Sequence, residues 1–273
     1  MLKTKKSITL HSQVKYGLIS LIVAILLYTV LTNLHLYIEV KSIPILSVFR
    51  PQYVPPPQRI WDKTLELIST GRLWQNILIS LLRILIGYGC GAAIGVSIGL
   101  LMGSYRKVDL YLDPLVQFLR PIPPLAFVTL FILWLGIGEI SKILIIVETT
   151  AVVTLIPTYQ GVKSVPKIYL DAARSLGADK GLIFRKIIFP SAVPYIVTGL
   201  RLSLGISWAV IVAAEYIAAF RGLGYQVIYY QRLMSIDGVV VSIIWIGIMV
   251  YLSDNLSRLA FNHVTRWMEK QRV

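Results

Sequence analysis

The sequence DAARSLGADKGLIFRKIIFP, residues 171–190, lies between two apolar runs and is the most polar long stretch of a largely apolar chain. Pro166 suits the first turn of a helix, and Gly177 suits the residue just past that helix's end. Asp179 can cap a second helix, which Pro190 would close. The pattern therefore predicts a water-exposed loop built from two short helices and a glycine turn.

Two groups of side chains give this loop further properties. Ala172 and Ala173 leave its first helix thin enough for another protein to approach closely. Lys180, Arg185 and Lys186 are typical of a cytoplasmic loop in a membrane protein. An ordinary basic cytoplasmic connection would share these features, so the physical pattern alone leaves both interpretations open.

The order of residues in this loop resembles the EAA loop of ATP-binding-cassette (ABC) importer permeases, in which EAA, a glycine and IxLP follow at fixed spacing. The matching positions here are Asp171, Ala172, Ala173, Gly177, Ile187, Phe189 and Pro190. Aspartate replaces glutamate at 171 and phenylalanine replaces leucine at 189, and both changes keep the character of the side chain. The resemblance implies that the loop docks into a groove of a separate ATPase subunit and carries its movement into the membrane.

The composition is that of an integral membrane protein. Hydrophobic residues make up 56% of the chain and charged residues 15%, and the mean hydropathy is +0.72. The net charge of +14 comes from basic residues in short loops. Because these residues form no continuous basic face, cytoplasmic loops explain the charge better than a nucleic-acid partner does.

No chemistry of catalysis or of cofactor binding is indicated. Cys90 is the only cysteine, and His11, His35 and His263 are too scattered to suggest a metal site. Neither a phosphate-binding GxxxxGK[ST] loop nor a Ser/His/Asp or Cys/His constellation occurs. We therefore expect no enzyme activity, no cofactor and no metal, and a transporter of this sequence would take its energy from a partner.

Hydropathy predicts an all-α fold with six transmembrane helices. They lie at about 16–36, 76–102, 124–134, 143–159, 194–219 and 238–259. The first is an uncleaved span, because no cleavage site follows it. Gly91, Gly95 and Gly99 share one face of the second, which predicts close packing against another helix.

The spans divide the chain into four regions. Residues 1–37 form a tail and the first span, and residues 38–75 form an extracytoplasmic segment with an amphipathic helix at about 61–73. A five-helix core at 76–260 contains the coupling loop, 160–192, and residues 261–273 form a C-terminal tail. Basic residues are more frequent on the side that carries both termini, which predicts that both are cytoplasmic.

Two arginines, Arg83 and Arg201, fall inside predicted spans, where a charge is costly and must face protein or water. Each could meet an anion in a transport pathway, together with Glu215 as a further candidate. Alternatively each could pair within the protein, with Glu148 and Glu215 as possible partners. The sequence leaves both interpretations open.

The resemblance extends over about 55–259 and is to the nitrate, sulfonate and taurine branch of these importers. It rests on VPPPQ at 54–58, RPIPPLAF at 120–127, GVKSVP at 161–166 and AAEYIAAFRGLGY at 213–225. The last of these is most similar to taurine permeases.

This resemblance implies a type I ABC importer permease in the plasma (inner) membrane. Its partners would be ABC ATPase subunits, an extracytoplasmic solute-binding protein, lipid and a second permease copy, since one chain supplies one coupling loop and two ATPases need docking. The implied substrate is taurine or another alkanesulfonate. The alternatives are a nitrate or bicarbonate importer of the same family, an ion-coupled secondary transporter, and a membrane-anchored scaffold.

Overall fold

The computed structural model describes residues 54–269, with side chains as far as 261, and the helical residues 19–20, 22–23 and 26–30. Between residues 54 and 269 the chain forms helices without strands. They are α1 (Pro57–Ser69), α2 (Arg72–Ser104), α3 (Arg106–Leu119), α4 (Pro124–Leu135), α5 (Glu139–Lys163), α6 (Lys167–Ser175), α7 (Lys180–Ala218), α8 (Leu223–Arg232) and α9 (Ile236–Glu269). The predicted first span lies largely outside the described residues.

Four of these helices are long and apolar enough to cross a membrane, namely α2, α5, α7 and the part Ile236–Phe261 of α9. Helices α3 and α4 are long and apolar enough to cross a membrane only when taken together, and the pair is bent by 95° at the RPIPP sequence. The described residues therefore confirm an all-α membrane protein with four or five candidate spans. The count of six stays a prediction.

Two predictions about prolines are wrong. Pro190 does not close the second loop helix, and Pro194 does not start a span, because the chain is helical from Lys180 to Ala218. The residues Phe184–Ile188 form a wider π-helical turn just before Pro190. That turn accommodates the proline ring, which would otherwise meet the carbonyl group four residues earlier.

Other boundaries differ less. The amphipathic helix α1 begins four residues earlier than predicted, because Pro57 suits the first helical position. The sequence analysis did not predict α3 or α8. Helix α3 contains Pro114, and α8 begins directly after the glycine turn at Gly222, so both lie beside residues that usually interrupt a helix.

The glycine face of α2 packs directly on the backbone of α5, as predicted. A Cβ atom on Gly91 would lie 2.5 Å from the carbonyl oxygen of Val147 on α5. One on Gly95 would lie 2.4 Å from the carbonyl oxygen of Ala151, one helical turn further along. Contacts run in register from Gly87 with Ile146 to Gly103 with Val162. The two helices are therefore parallel, with their first residues at one end of the bundle and their last residues at the other.

Helix α7 runs antiparallel to this pair and is joined to α5 by hydroxyl groups. Thr150 and Ser207 share a hydrogen bond of 2.8 Å, and Thr154 donates to Ser203 at 3.2 Å. All four side chains are buried. The bundle thus places residues 164–190 at one end, and the starts of α2 and α5 and the end of α7 at the opposite end.

Candidate functional site

The loop segment, residues 166–190, begins with α6 and a glycine turn of the predicted kind. Gly177 has φ +79°, a left-handed conformation that favours glycine. Its N–H donates to the carbonyl of Arg174 at 2.9 Å, and the N–H of Ala178 donates to the carbonyl of Ala173 at 3.0 Å. These two bonds form a Schellman motif, which satisfies the last carbonyl groups of α6.

Asp179 caps the start of α7, as predicted. Its carboxylate accepts hydrogen bonds from the backbone N–H groups of Gly181 and Leu182, each at 3.2 Å. These donors have no partner within the helix. The turn between α6 and α7 is therefore fixed at both sides by local hydrogen bonds.

The loop segment presents apolar side chains to its surroundings. Ile168, Tyr169 and Leu176 are 72%, 61% and 88% exposed. Ala172 is exposed beside them, and Ala173 is half-buried. An exposed apolar patch on a helix with small side chains is typical of a surface that another protein covers.

The remaining site residues predicted in this segment have different environments. Asp171 is exposed and pairs with Arg174 at 3.1 Å, on the surface of α6. Ile187 and Pro190 are half-buried on α7. They therefore contribute less to the outer surface of the segment than the exposed side chains of α6 do.

A buried ion cluster of Arg83, Lys142, Glu139 and Glu215 lies at the opposite end of the bundle. Arg83, which is 3% exposed, donates to Glu215 at 2.7 Å and to both oxygens of Glu139 at 2.6 Å. It also donates to the carbonyl of Arg221 at 2.9 Å. Glu215, one of the two possible partners that the sequence suggested for the arginines, thus pairs with Arg83, whereas the sequence analysis missed Glu139.

Glu215 is fully buried and is enclosed by the glycine turn that follows α7. Its carboxylate accepts from the hydroxyl of Ser80 at 2.7 Å and from the N–H of Gly224 at 2.8 Å, besides Arg83. Gly222 has φ +121°, and a Cβ atom there would lie 2.4 Å from the carboxyl carbon. The sequence FRGLGY therefore folds around this carboxylate because glycine leaves the space for it.

Formal charges within the cluster balance. Lys142, 5% exposed, donates to the carbonyl of Gly138 at 2.9 Å and lies 3.9 Å from Glu139. Two cations thus face two carboxylates, which lowers the cost of placing them in an apolar bundle. The cluster borders a cleft of about 570 Å³, and the side chain of Glu139, 61% exposed, is its accessible member.

In this arrangement Arg83, on α2, forms ion pairs with residues of α5 and α7 and so connects the three helices. Its Nε, Nη1 and Nη2 atoms are all engaged by groups on α5, α7 and the turn after α7. Little donor capacity is left for an anion. The geometry favours the structural pairing over direct anion binding.

Arg201 has a different environment. Its Nη2 atom lies 3.5 Å from Asp254 on α9, and Asp254 also accepts from Arg258 at 3.2 Å. Fourteen residues of α7 separate Arg201 from Glu215, about 21 Å at the helical rise. The two arginines therefore belong to separate sites. Glu148, which the sequence suggested as a partner, pairs with neither and accepts a hydrogen bond from the hydroxyl of Thr149 at 3.4 Å.

Within the described part of the chain, no group of three or more His, Cys, Asp or Glu side chains is placed to hold a metal ion. The side chains of the two sites described above make ion pairs, hydrogen bonds and apolar contacts. A site of this kind can change conformation or bind a charged group.

Comparison with known proteins shows the family. The family model described as the binding-protein-dependent transport system inner membrane component matches residues 91–270. The chain is 36% identical over 231 residues to the taurine transport system permease protein TauC of Escherichia coli K12, covering 83% of this chain and 84% of that protein. It is also 36% identical over 188 residues to the bicarbonate transport system permease protein CmpB of Synechococcus elongatus, covering 68% and 67%.

Solved structures agree on the fold. An amino acid ABC transporter crystallised with histidines matches with a TM-score of 0.61 at 17% identity, over 73% of this chain and 97% of that one. The inward-facing methionine ABC transporter MetNI matches with a TM-score of 0.56 at 19% identity, over 68% and 95%. The chain is a membrane permease subunit, not an enzyme, and it belongs to the family of inner membrane components of binding-protein-dependent transport systems.

Proposed function

We propose that this permease carries taurine or another alkanesulfonate across the membrane in an ATP-driven importer. The observation that carries the proposal is the similarity to TauC, which spans more than four fifths of both chains. The second candidate is bicarbonate, or another small anion such as nitrate, and the similarity to CmpB supports it over a shorter stretch. The longer match favours the sulfonate.

The loop segment is the proposed docking site for the ATPase subunit. Asp171, Ala172, Ala173 and Gly177 would lie in the ATPase groove, and the exposed side chains of Tyr169 and Leu176 supply apolar area for the contact. Ile187 and Pro190 would transmit the movement, since they lie on α7 just past the segment.

Helix α7 is the proposed lever. It has 39 residues, and the 35 residue steps from Lys180 to Glu215 span about 53 Å at the helical rise. A rigid helix of this length would carry a displacement of Lys180 to Glu215. The ion cluster would then rearrange as the bundle changes between its conformations.

The candidate pathway residues differ in their proposed roles. Arg83 and Glu215 would act through rearrangement of the ion cluster, because their hydrogen bonds are already made. Arg201 is half-buried, and its Nε atom has no hydrogen-bond partner among the described residues. Arg201 is therefore the freer of the two arginines to meet an anion.

The proposed assembly is a homodimer in the plasma (inner) membrane, with two ATPase subunits and lipid around the spans. Each chain supplies one loop segment, so two copies would serve two ATPases. Both termini and the loop segment would be cytoplasmic, and a solute-binding protein would dock at the opposite end.

Reconstitution tests the substrate and the energy source together. The permease, its ATPase and its binding protein are placed in proteoliposomes, and uptake of radiolabelled taurine and of radiolabelled bicarbonate is measured with and without ATP. We expect taurine uptake that requires ATP. Uptake of bicarbonate alone would assign the second candidate, and ATP-independent uptake driven by a sodium or proton gradient would refute the importer.

A further inference from the structure

We propose that a second cavity, at the end of the bundle opposite the loop segment, is a binding site for a small oxyanion. This anion cavity has a volume of about 230 Å³ and lies between α1, the start of α2 and α8. The residues that matter for the argument are Arg72, Asn76, Arg221 and Gln226, which all line it. The proposal rests on the proposed function for the class of anion, but not for the existence of the site.

The cavity is positively charged. Arg72 and Arg221 are both exposed at its rim, and no carboxylate side chain lines it. Among the described residues, neither arginine takes part in a salt bridge. This contrasts with Arg83, whose charge is neutralised by two carboxylates. Arg72 interacts with the hydroxyl groups of Tyr229 and Tyr230, which carry no formal charge, so a ligand of the anion cavity would find two guanidinium groups that no carboxylate neutralises.

A buried hydrogen-bond donor points to the same conclusion. The backbone N–H of Gly222 donates to Asn76 Oδ1 at 2.9 Å. Since a backbone N–H can only donate, the other amide atom of Asn76 is its NH₂ group. That group donates to Gln226 Oε1 at 2.8 Å, which leaves the NH₂ group of Gln226 as a donor.

This donor faces no protein acceptor in the described part of the chain. Gln226 is 2% exposed, and its Nε2 atom has no hydrogen-bond partner among the described residues. Buried donors without a partner are rare because losing the hydrogen bond to water destabilises the fold. An acceptor that enters the cavity would complete the set, and the two arginines select an acceptor with negative charge.

The free groups define the ligand class. The side-chain oxygens of Asn76 and Gln226 are both occupied, so these two amides offer the cavity only the Gln226 donor, beside the two guanidinium groups. A sulfonate, nitrate or bicarbonate group presents several acceptor oxygens with one negative charge and matches this set. Such an anion would lie one residue from the ion cluster, because the carbonyl of Arg221 accepts from Arg83.

The test measures anion binding directly and independently of transport. The permease–ATPase complex is placed in nanodiscs without binding protein, and sodium methanesulfonate is titrated by isothermal calorimetry at constant ionic strength. Arg72→Gln removes one guanidinium group at an exposed position. Gln226→Glu replaces the free donor by an acceptor and keeps the oxygen that Asn76 contacts.

We expect each substitution to weaken methanesulfonate binding about tenfold, as the loss of one hydrogen bond to a charged group does. The matched controls are Arg232→Gln and Gln58→Glu, which make the same charge changes on α8 and α1 outside the cavity. Both should bind like the parent.

No methanesulfonate binding by the parent complex would overturn the site, as would equal affinities in the parent and Arg72→Gln. A third result would also overturn it: normal methanesulfonate affinity in both cavity variants, together with loss of the ATP hydrolysis that added binding protein stimulates. The last result would assign the cavity to docking of an acidic side chain. Failure of taurine uptake in the proteoliposome assay, with anion binding intact, would instead refute only the proposed substrate.

Discussion

Replacement of Gly222 by alanine would place a methyl group directly against the carboxylate of the ion cluster. Gly222 has φ +121° and ψ 168°, a region that essentially only glycine adopts. The new Cβ atom would lie 2.4 Å from the carboxyl carbon of Glu215 and 2.5 Å from each oxygen. Because Glu215 is fully buried, the carboxylate has no solvent-filled space to move into and must leave its hydrogen bonds.

The cost has two parts. The backbone conformation contributes about 1–3 kcal/mol for a residue other than glycine. Of the three hydrogen bonds that the carboxylate accepts, the two from Arg83 and from the N–H of Gly224 alone contribute about 1.5–3 kcal/mol each, so their loss adds about 3–6 kcal/mol.

Comparison with a Gly136→Ala variant separates the backbone cost from the cost of displacing the carboxylate. It has φ +76° and ψ 179°, and a Cβ atom there would meet no atom within 4 Å. Gly136→Ala therefore carries only the backbone cost, and Gly222→Ala should be the less stable variant by about 3–6 kcal/mol. The measurement is the thermal midpoint of the detergent-solubilised permease, followed as loss of monodisperse protein in size-exclusion chromatography.

A double-mutant cycle tests whether the cost of Gly222→Ala comes from the Glu215 carboxylate. Glu215→Ala removes the carboxylate that the new methyl group meets, so adding Gly222→Ala to it should cost only the backbone part. Fully additive effects of the two substitutions, or equal midpoints for the two glycine variants, would refute the packing of Glu215 against Gly222.

Three further predictions concern the bundle and the loop segment. Gly95→Ala, whose Cβ atom would lie 2.4 Å from a backbone oxygen of α5, should destabilise the fold by about 1–3 kcal/mol and so lower the thermal midpoint. Gly89→Ala on the same helix meets nothing within 4 Å and should leave the midpoint unchanged. Equal midpoints for the two variants would contradict the contact between α2 and α5. Ala173→Asp should leave that midpoint unchanged and abolish either ATPase retention or ATP-driven uptake in proteoliposomes; uptake like that of the parent would rule out docking at this face. In a variant whose native cysteine is replaced by alanine, a cysteine at Ser69 should react with an impermeant thiol reagent in intact cells and one at Ser164 should not; the reverse pattern would invert the proposed orientation.

Features set by a few neighbouring residues could be predicted from the sequence. The turn at Gly177 and the cap at Asp179 depend on backbone groups within four residues, and the glycine face of α2 follows from helical spacing alone. The pairing of Arg83 with Glu215 was predictable for a different reason. Few charges occur in the spans, and each must find a partner there.

Features set by distant residues could not. Glu139 is 56 positions from Arg83 and lies at a predicted loop, so no local pattern distinguishes it from an exposed carboxylate. Asp254 is equally remote from Arg201. The amide chain from Gly222 through Asn76 to Gln226 joins positions about 150 apart and depends on how two helix ends meet.

The error at Pro190 has the largest consequence for function. Two separate helices after Gly177 would have placed a flexible joint between the loop segment and the membrane, and such a joint would dissipate a displacement. The continuous helix from Lys180 to Ala218 removes that joint. Within this helix, Phe184–Ile188 form a wider π-helical turn, so the backbone stays helical past Pro190. Movement at the ATPase would therefore reach Glu215 through one element, and the ion cluster would be the place where α7 either keeps or breaks its connection to α2 and α5.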